Sequence, residues 1–71
     1  MGSDDSVIIF GSRLKGARTA IGLTQNEVAK KAGISTNHYA RLERGEIKPK
    51  FEMIEKLAKA LKVRSADVLP F

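Results

Sequence analysis

Residues 24–45 read TQNEVAKKAGISTNHYARLERG, and no other stretch restricts the fold so tightly. Thr24 stands where a helix N-cap belongs, and Glu27 follows at the spacing of a capping box. Leu23 and Val28 occupy the two positions of a hydrophobic staple. Val28, Ala29 and Ala32 give this helix an inner face, and Gly33 supplies the left-handed residue that ends it. Ser35 caps the next helix almost at once, with Ile34 and Tyr39 as a second staple, and Gly45 closes it. The reading is helix, one sharp corner, helix.

The flanks follow the same period. Phe10, Leu14, Ala17 and Ile21 share one helical face that Gly22 stops. After a basic loop, EIKPK, the residues Phe51, Ile54, Leu57, Ala58 and Leu61 mark the inner face of a fourth helix. A last short turn, SADVLP, starts at Ser65 as a cap and ends at Pro70. No stretch alternates with the period of a strand, and no repeat or linker divides the chain. The expectation is all-α: a bundle of four to five short helices around a central helix-turn-helix, with one domain over 7–71 behind a polar tail at 1–6.

A chain of 71 residues is near the lower limit for an unaided hydrophobic core and leaves little room for an enzyme pocket. With no Cys, neither a disulfide nor a thiolate metal site can form, and the single His38 cannot build a zinc site. No cofactor and no metal are expected, and a cytoplasmic, nucleoid-associated protein is the natural reading. The longest apolar run, residues 7–10, is far short of the ~18 needed to cross a membrane. The opening MGSDDS fits a myristoylation pattern through Gly2 and Ser6, but a polar tail or a cloning remnant explains the same letters more simply. The formal charge is +5, and Asp4 and Asp5 lie in the tail, so the folded part is more basic than the total. That balance favours a polyanionic partner without locating it.

Helical spacing through residues 36–44 places Tyr39 and Leu42 on one side and Thr36, Asn37, Ala40, Arg41 and Arg44 on the other. Asn pairs in bidentate fashion with adenine and Arg with guanine in a major groove, while small Ala40 permits close approach or contact with a thymine methyl. The same face also reads as an ordinary solvated surface, so periodicity alone leaves both open.

On these residues the chain resembles the helix-turn-helix domains of the phage repressor and Cro type, also called XRE-like regulators. The resemblance covers residues 10–69 and rests on RLKGARTAIGLTQNEVAKKAGIS, ARLERGEIKP and LAKALKVRSADVL. In that family the second of the paired helices lies in the major groove. The resemblance implies base contacts from Thr36, Asn37 and Arg41 and phosphate contacts from Gln25, Arg44, Lys48 and Lys50. It implies that Gln25 also braces a base-reading side chain, that Lys50 can reach a minor groove, and that Arg18 and Glu43 form a structural ion pair bridging the first and third helices. Thr24 and Ser35 read as caps first, and Lys30 and Lys31 as a solvated face. Tyr39 stands where a β-branched aliphatic is usual, so its hydroxyl must reach the helix edge or a buried partner. His38 reads as a partly exposed packing residue.

An enzyme is disfavoured: there is no Ser-His-acid set, and GSRLKG lacks P-loop spacing. RNA binding would bring stacking aromatics, whereas Phe10 and Phe51 read as core. The serious rival is a protein-interaction module of the same fold, an antitoxin or a bridging factor. The polar, basic face of the third helix argues against it, because a docking face usually centres on an apolar anchor. The expected function is a sequence-specific, stand-alone, repressor-like regulator on double-stranded DNA with a pseudo-palindromic operator. A homodimer is expected too, since Val7, Ile8, Ile9, Val68, Leu69 and Phe71 exceed what one core can use.

Overall fold

In the computed structural model of the chain, which describes residues 5–69, the box at Thr24 starts α2 (Gln25–Ala32). The Thr24 hydroxyl accepts the Glu27 N–H at 3.1 Å, and Glu27 Oε1 accepts the Thr24 N–H at 2.8 Å. Ser35 likewise accepts the His38 N–H at 3.0 Å to start α3 (Thr36–Glu43). Around this pair stand α1 (Asp5–Ala20), α4 (Phe51–Leu61) and α5 (Ser65–Val68), and the described residues form no strand. The all-α architecture with a central helix-turn-helix is as the sequence implies.

The corner between α2 and α3 turns on Gly33, whose φ of 76° is open to glycine and strained for residues with a Cβ. Its N–H and that of Ile34 reach back to Lys30 O at 3.2 Å and Ala29 O at 3.0 Å, satisfying carbonyls at the end of α2. The same closing pattern ends α1 at Gly22, α3 at Gly45 and α4 at Lys62, with the outer bonds Leu23 to Arg18, Glu46 to Arg41 and Val63 to Ala58 at 3.2, 3.0 and 2.9 Å. Lys62 takes the left-handed conformation, φ 60°, without being glycine, so no sequence signal marks that end.

The core gathers Phe10, Leu14, Val28, Tyr39, Leu42, Leu57, Leu61 and Val68, all essentially sealed from solvent. In this arrangement α2 packs on α3 and α4, α1 on α3 and α5, and α4 on α5. Leu23, Ile34 and Ile47 pack half-buried against the core that contains Val28 and Tyr39. At Gly11 α1 comes close to the backbone of α3: a Cβ there would overlap the carbonyl oxygens of Leu42 and Glu43. Arg13 ties α1 to the end of α5 by donating from Nη1 to Leu69 O at 3.0 Å.

Several expectations are corrected. Ile21 is 43% exposed, because α1 ends at Ala20 and the chain has left the helical face before it. Phe51 is 62% exposed as the first residue of α4; Ile54 and Leu57 carry the inner face without it. Val7 and Val68, expected among the surplus apolar residues, are buried: α1 begins at Asp5 and brings Val7 onto the face of Phe10 and Leu14, and α5 packs Val68 against α1 and α4. Ser65 is the first helical residue of α5 and not its cap; the N-cap is Arg64, whose N–H is accepted by Asp67 at 3.0 Å. Asp5 and Ser6 of the expected tail are helical, an acid in a first turn matching the helix dipole. Residues 1–4, with the Gly2 pattern, and Pro70 and Phe71 lie outside the described residues.

Candidate nucleic-acid interface

The base-reading candidates share the outer surface of α3. Tyr39 and Leu42 are buried beneath it, while Thr36, Asn37 and Arg41 are exposed and Ala40 is half-buried between them. Two neighbours absent from the sequence reading engage these side chains. The Thr36 hydroxyl donates to Asn26 Oδ1 at 2.7 Å, linking the first turn of α2 to that of α3. Glu46, in the loop after α3, accepts from Arg41 Nε at 3.2 Å and from Arg44 Nε at 2.6 Å. Those guanidiniums, chiefly Arg44, hold the Glu46 carboxyl below the ordinary carboxylate range, and the same bond raises Arg44. Neither contact has a local sequence signature; both follow from the corner and the closing turn.

The phosphate-contact candidates flank this surface. Arg44, Lys48 and Lys50 are exposed along the last residue and loop that follow α3. His38, half-exposed as expected, lines a recess of about 240 Å³ with Lys48, Pro49 and Lys50. Lys30 and Lys31 are exposed at the far end of α2, beside Lys56, Lys59 and Lys62.

Gln25 sits differently. Its half-buried amide donates to Glu43 Oε1 at 2.9 Å, joining it to the ion pair. An amide nitrogen carries a second N–H, so this bond does not exhaust it.

Arg18 and Glu43 meet as a two-bond fork, Nε to Oε2 at 2.7 Å and Nη2 to Oε1 at 3.2 Å. Their side chains are 13% and 4% exposed, and Arg18 Nη1 also donates to Leu23 O at 3.0 Å. One guanidinium therefore fastens α1 to the end of α3 and to the residue entering α2. Burial opposes charge on Glu43, but the bonds from Arg18 and Gln25 outweigh it and hold the carboxyl below its ordinary range. The bond to Glu43 raises Arg18 in turn. The Tyr39 hydroxyl is enclosed beside Arg18 and Glu43, near enough to feel both charges, but makes no hydrogen bond of good geometry with a described residue. Burial pushes its phenol well above the ordinary value. No cluster able to hold a metal ion occurs among the described residues, and no helix among them is long and apolar enough to cross a membrane.

Comparison with known proteins gives consistent results. A family model described as helix-turn-helix matches residues 14–68. The chain is 38% identical over 61 residues to the cryptic phage CTXphi transcriptional repressor RstR of Vibrio cholerae, covering 86% of this chain and 55% of that protein. It thus spans about half the length of that relative. The restriction-modification controller protein C.AhdI of Aeromonas hydrophila superposes with a TM-score of 0.89 at 32% identity, covering 93% of this chain and 100% of that one. The P22 c2 repressor, solved in complex with a synthetic operator, superposes with a TM-score of 0.81 at 27% identity over 87% of this chain and 94% of that one.

Proposed function

The chain belongs to the helix-turn-helix family, and from that membership and the exposed face of α3 we propose that it is a repressor-like transcriptional regulator that reads double-stranded DNA with α3 in the major groove. The observation that carries the reading is the sidedness of α3: Tyr39 and Leu42 fix it to the core while Thr36, Asn37 and Arg41 face outward with no apolar anchor among them. RstR and C.AhdI, named as a repressor and a controller, support the same assignment, as does the operator complex of the P22 c2 repressor.

Asn37 and Arg41 supply bidentate contacts to base edges, Thr36 a hydroxyl, and Ala40 the room for approach. Gln25, Arg44, Lys48 and Lys50 bind phosphates, which sets register and affinity without reading sequence. Arg18 and Glu43 hold the reading helix at its angle. A protein-docking role gains nothing from a face so polar at its centre.

A single recognition helix spans a few base pairs, so the active species is a homodimer placing two α3 helices in successive major grooves, about 34 to 36 Å apart. Ile8 and Ile9, 51% and 43% exposed on α1, are apolar surface that a partner copy would cover. Selection from a pool of random duplexes tests the reading: a defined palindrome is expected, and a pool that emerges unenriched overturns it. Sedimentation on that palindrome should give two chains per duplex; one chain per symmetric site contradicts the dimer.

A further inference from the structure

Glu46 is an acid set among the groups assigned to DNA, Arg41, Arg44, Lys48 and Lys50. Near phosphates a carboxylate is unfavourable, so its place there needs a reason. Stability supplies little: Arg41, Arg44 and Glu46 are all about half exposed, and ion pairs in that setting contribute weakly to folding.

The geometry supplies a better one. Glu46 is anchored to the residue it touches, because its own N–H donates to Arg41 O at 3.0 Å in the turn that closes α3. Gly45, with φ 75°, makes that turn. The starting point of the Glu46 side chain is therefore fixed relative to Arg41. From there each carboxylate oxygen takes one arginine, and both bonds run through Nε. Engagement at Nε leaves the Nη1 and Nη2 end of each guanidinium directed away from the carboxylate, and that end forms the fork that pairs with guanine O6 and N7. A free Arg side chain must lose considerable rotamer freedom to make such a contact, and a side chain already held loses less.

We propose that Glu46 is a positioning residue for sequence reading: it holds Arg41 by Nε with its Nη fork presented to a base, and its charge lowers affinity for DNA of any sequence. The inference rests on the DNA-reading role of α3. It assigns to Glu46 a rise in specificity by two routes, a sharper base contact and a weaker non-specific background.

The test uses the full chain and two duplexes, the selected site and that site with the base pair read by Arg41 exchanged, alongside a random duplex. Glu46→Ala should raise affinity for the random duplex about two- to five-fold, since a repulsive charge is gone. It should also lower discrimination at the exchanged pair by about five-fold or more, the low end of what a bidentate base contact supplies. In an Arg41→Ala background it should no longer change discrimination. Glu46→Gln, which keeps the shape and removes the charge, should raise random-duplex affinity in the same way; both variants should melt like the parent. Discrimination unchanged in Glu46→Ala, or site and random affinity falling together, overturns the proposal while leaving the role of α3 intact. A parent chain that enriches no duplex at all overturns both.

Discussion

Gly11 lies directly against the Glu43 carbonyl, so α1 and α3 meet backbone to backbone beside the residue that ends α3. A methyl group has no space there, and the atoms it would strike belong to the main chain, which cannot swing aside as a side-chain tip can. Gly11→Ala is therefore expected to destabilise by about 1 to 3 kcal/mol, the usual cost of overpacking, despite the better helix propensity of alanine. Urea unfolding measures it, and a variant as stable as the parent means the two helices do not touch there.

Arg18 and Glu43 are expected to be strongly coupled. Removing either partner leaves a mostly buried charge alone and costs about 3 to 5 kcal/mol, whereas an apolar pair in both places costs much less. A double-mutant cycle with Arg18→Met and Glu43→Leu gives the coupling. Additive losses contradict the pair.

The same carboxylate sets the acid limit of the fold. Its folded pKa lies below the unfolded value of about 4.3, so the stability it contributes is complete above that value and is lost as pH falls through the folded pKa. Glu27, held below its ordinary range by the Thr24 N–H, acts in the same direction. Melting temperature should fall steeply on acidification below about pH 5, and Glu43→Gln should be less stable at neutral pH but flatter in acid. A Gln variant that retains the parent's acid slope removes Glu43 from the account.

Tyr39→Phe should stay within about 1 kcal/mol of the parent or exceed it, because the deleted hydroxyl is buried without a partner. A loss above about 2 kcal/mol, measured by denaturation, means that the hydroxyl bonds to the Arg18 and Glu43 pair after all.

The legible parts of the fold were those written locally. Thr24 with Glu27, Ser35, Gly33 and Gly45 signal their caps and turns within a few residues, and the buried face of α3 follows from spacing alone. Periodicity misplaces the ends of helices, where Ile21 and Phe51 keep the spacing but not the neighbours of a core residue. Lys62 adopts a glycine-like conformation that its residue type does not announce. At the interface, the resemblance implied the Arg18 and Glu43 pair, but Gln25 joining it, Asn26 on Thr36 and Glu46 on two arginines depend on which side chains the corner brings together. Those choices are three-dimensional, and no spacing rule contains them.

The central claim, that α3 reads bases while its flanks hold phosphates, is tested most directly by measuring Arg41→Ala and Lys50→Ala on the selected site and on random DNA across a salt series. Arg41→Ala should weaken the selected site by about 1 to 3 kcal/mol and leave random DNA nearly unchanged. Lys50→Ala should weaken both and reduce the salt slope by about one. If Arg41→Ala weakens selected and random DNA equally, α3 does not read sequence.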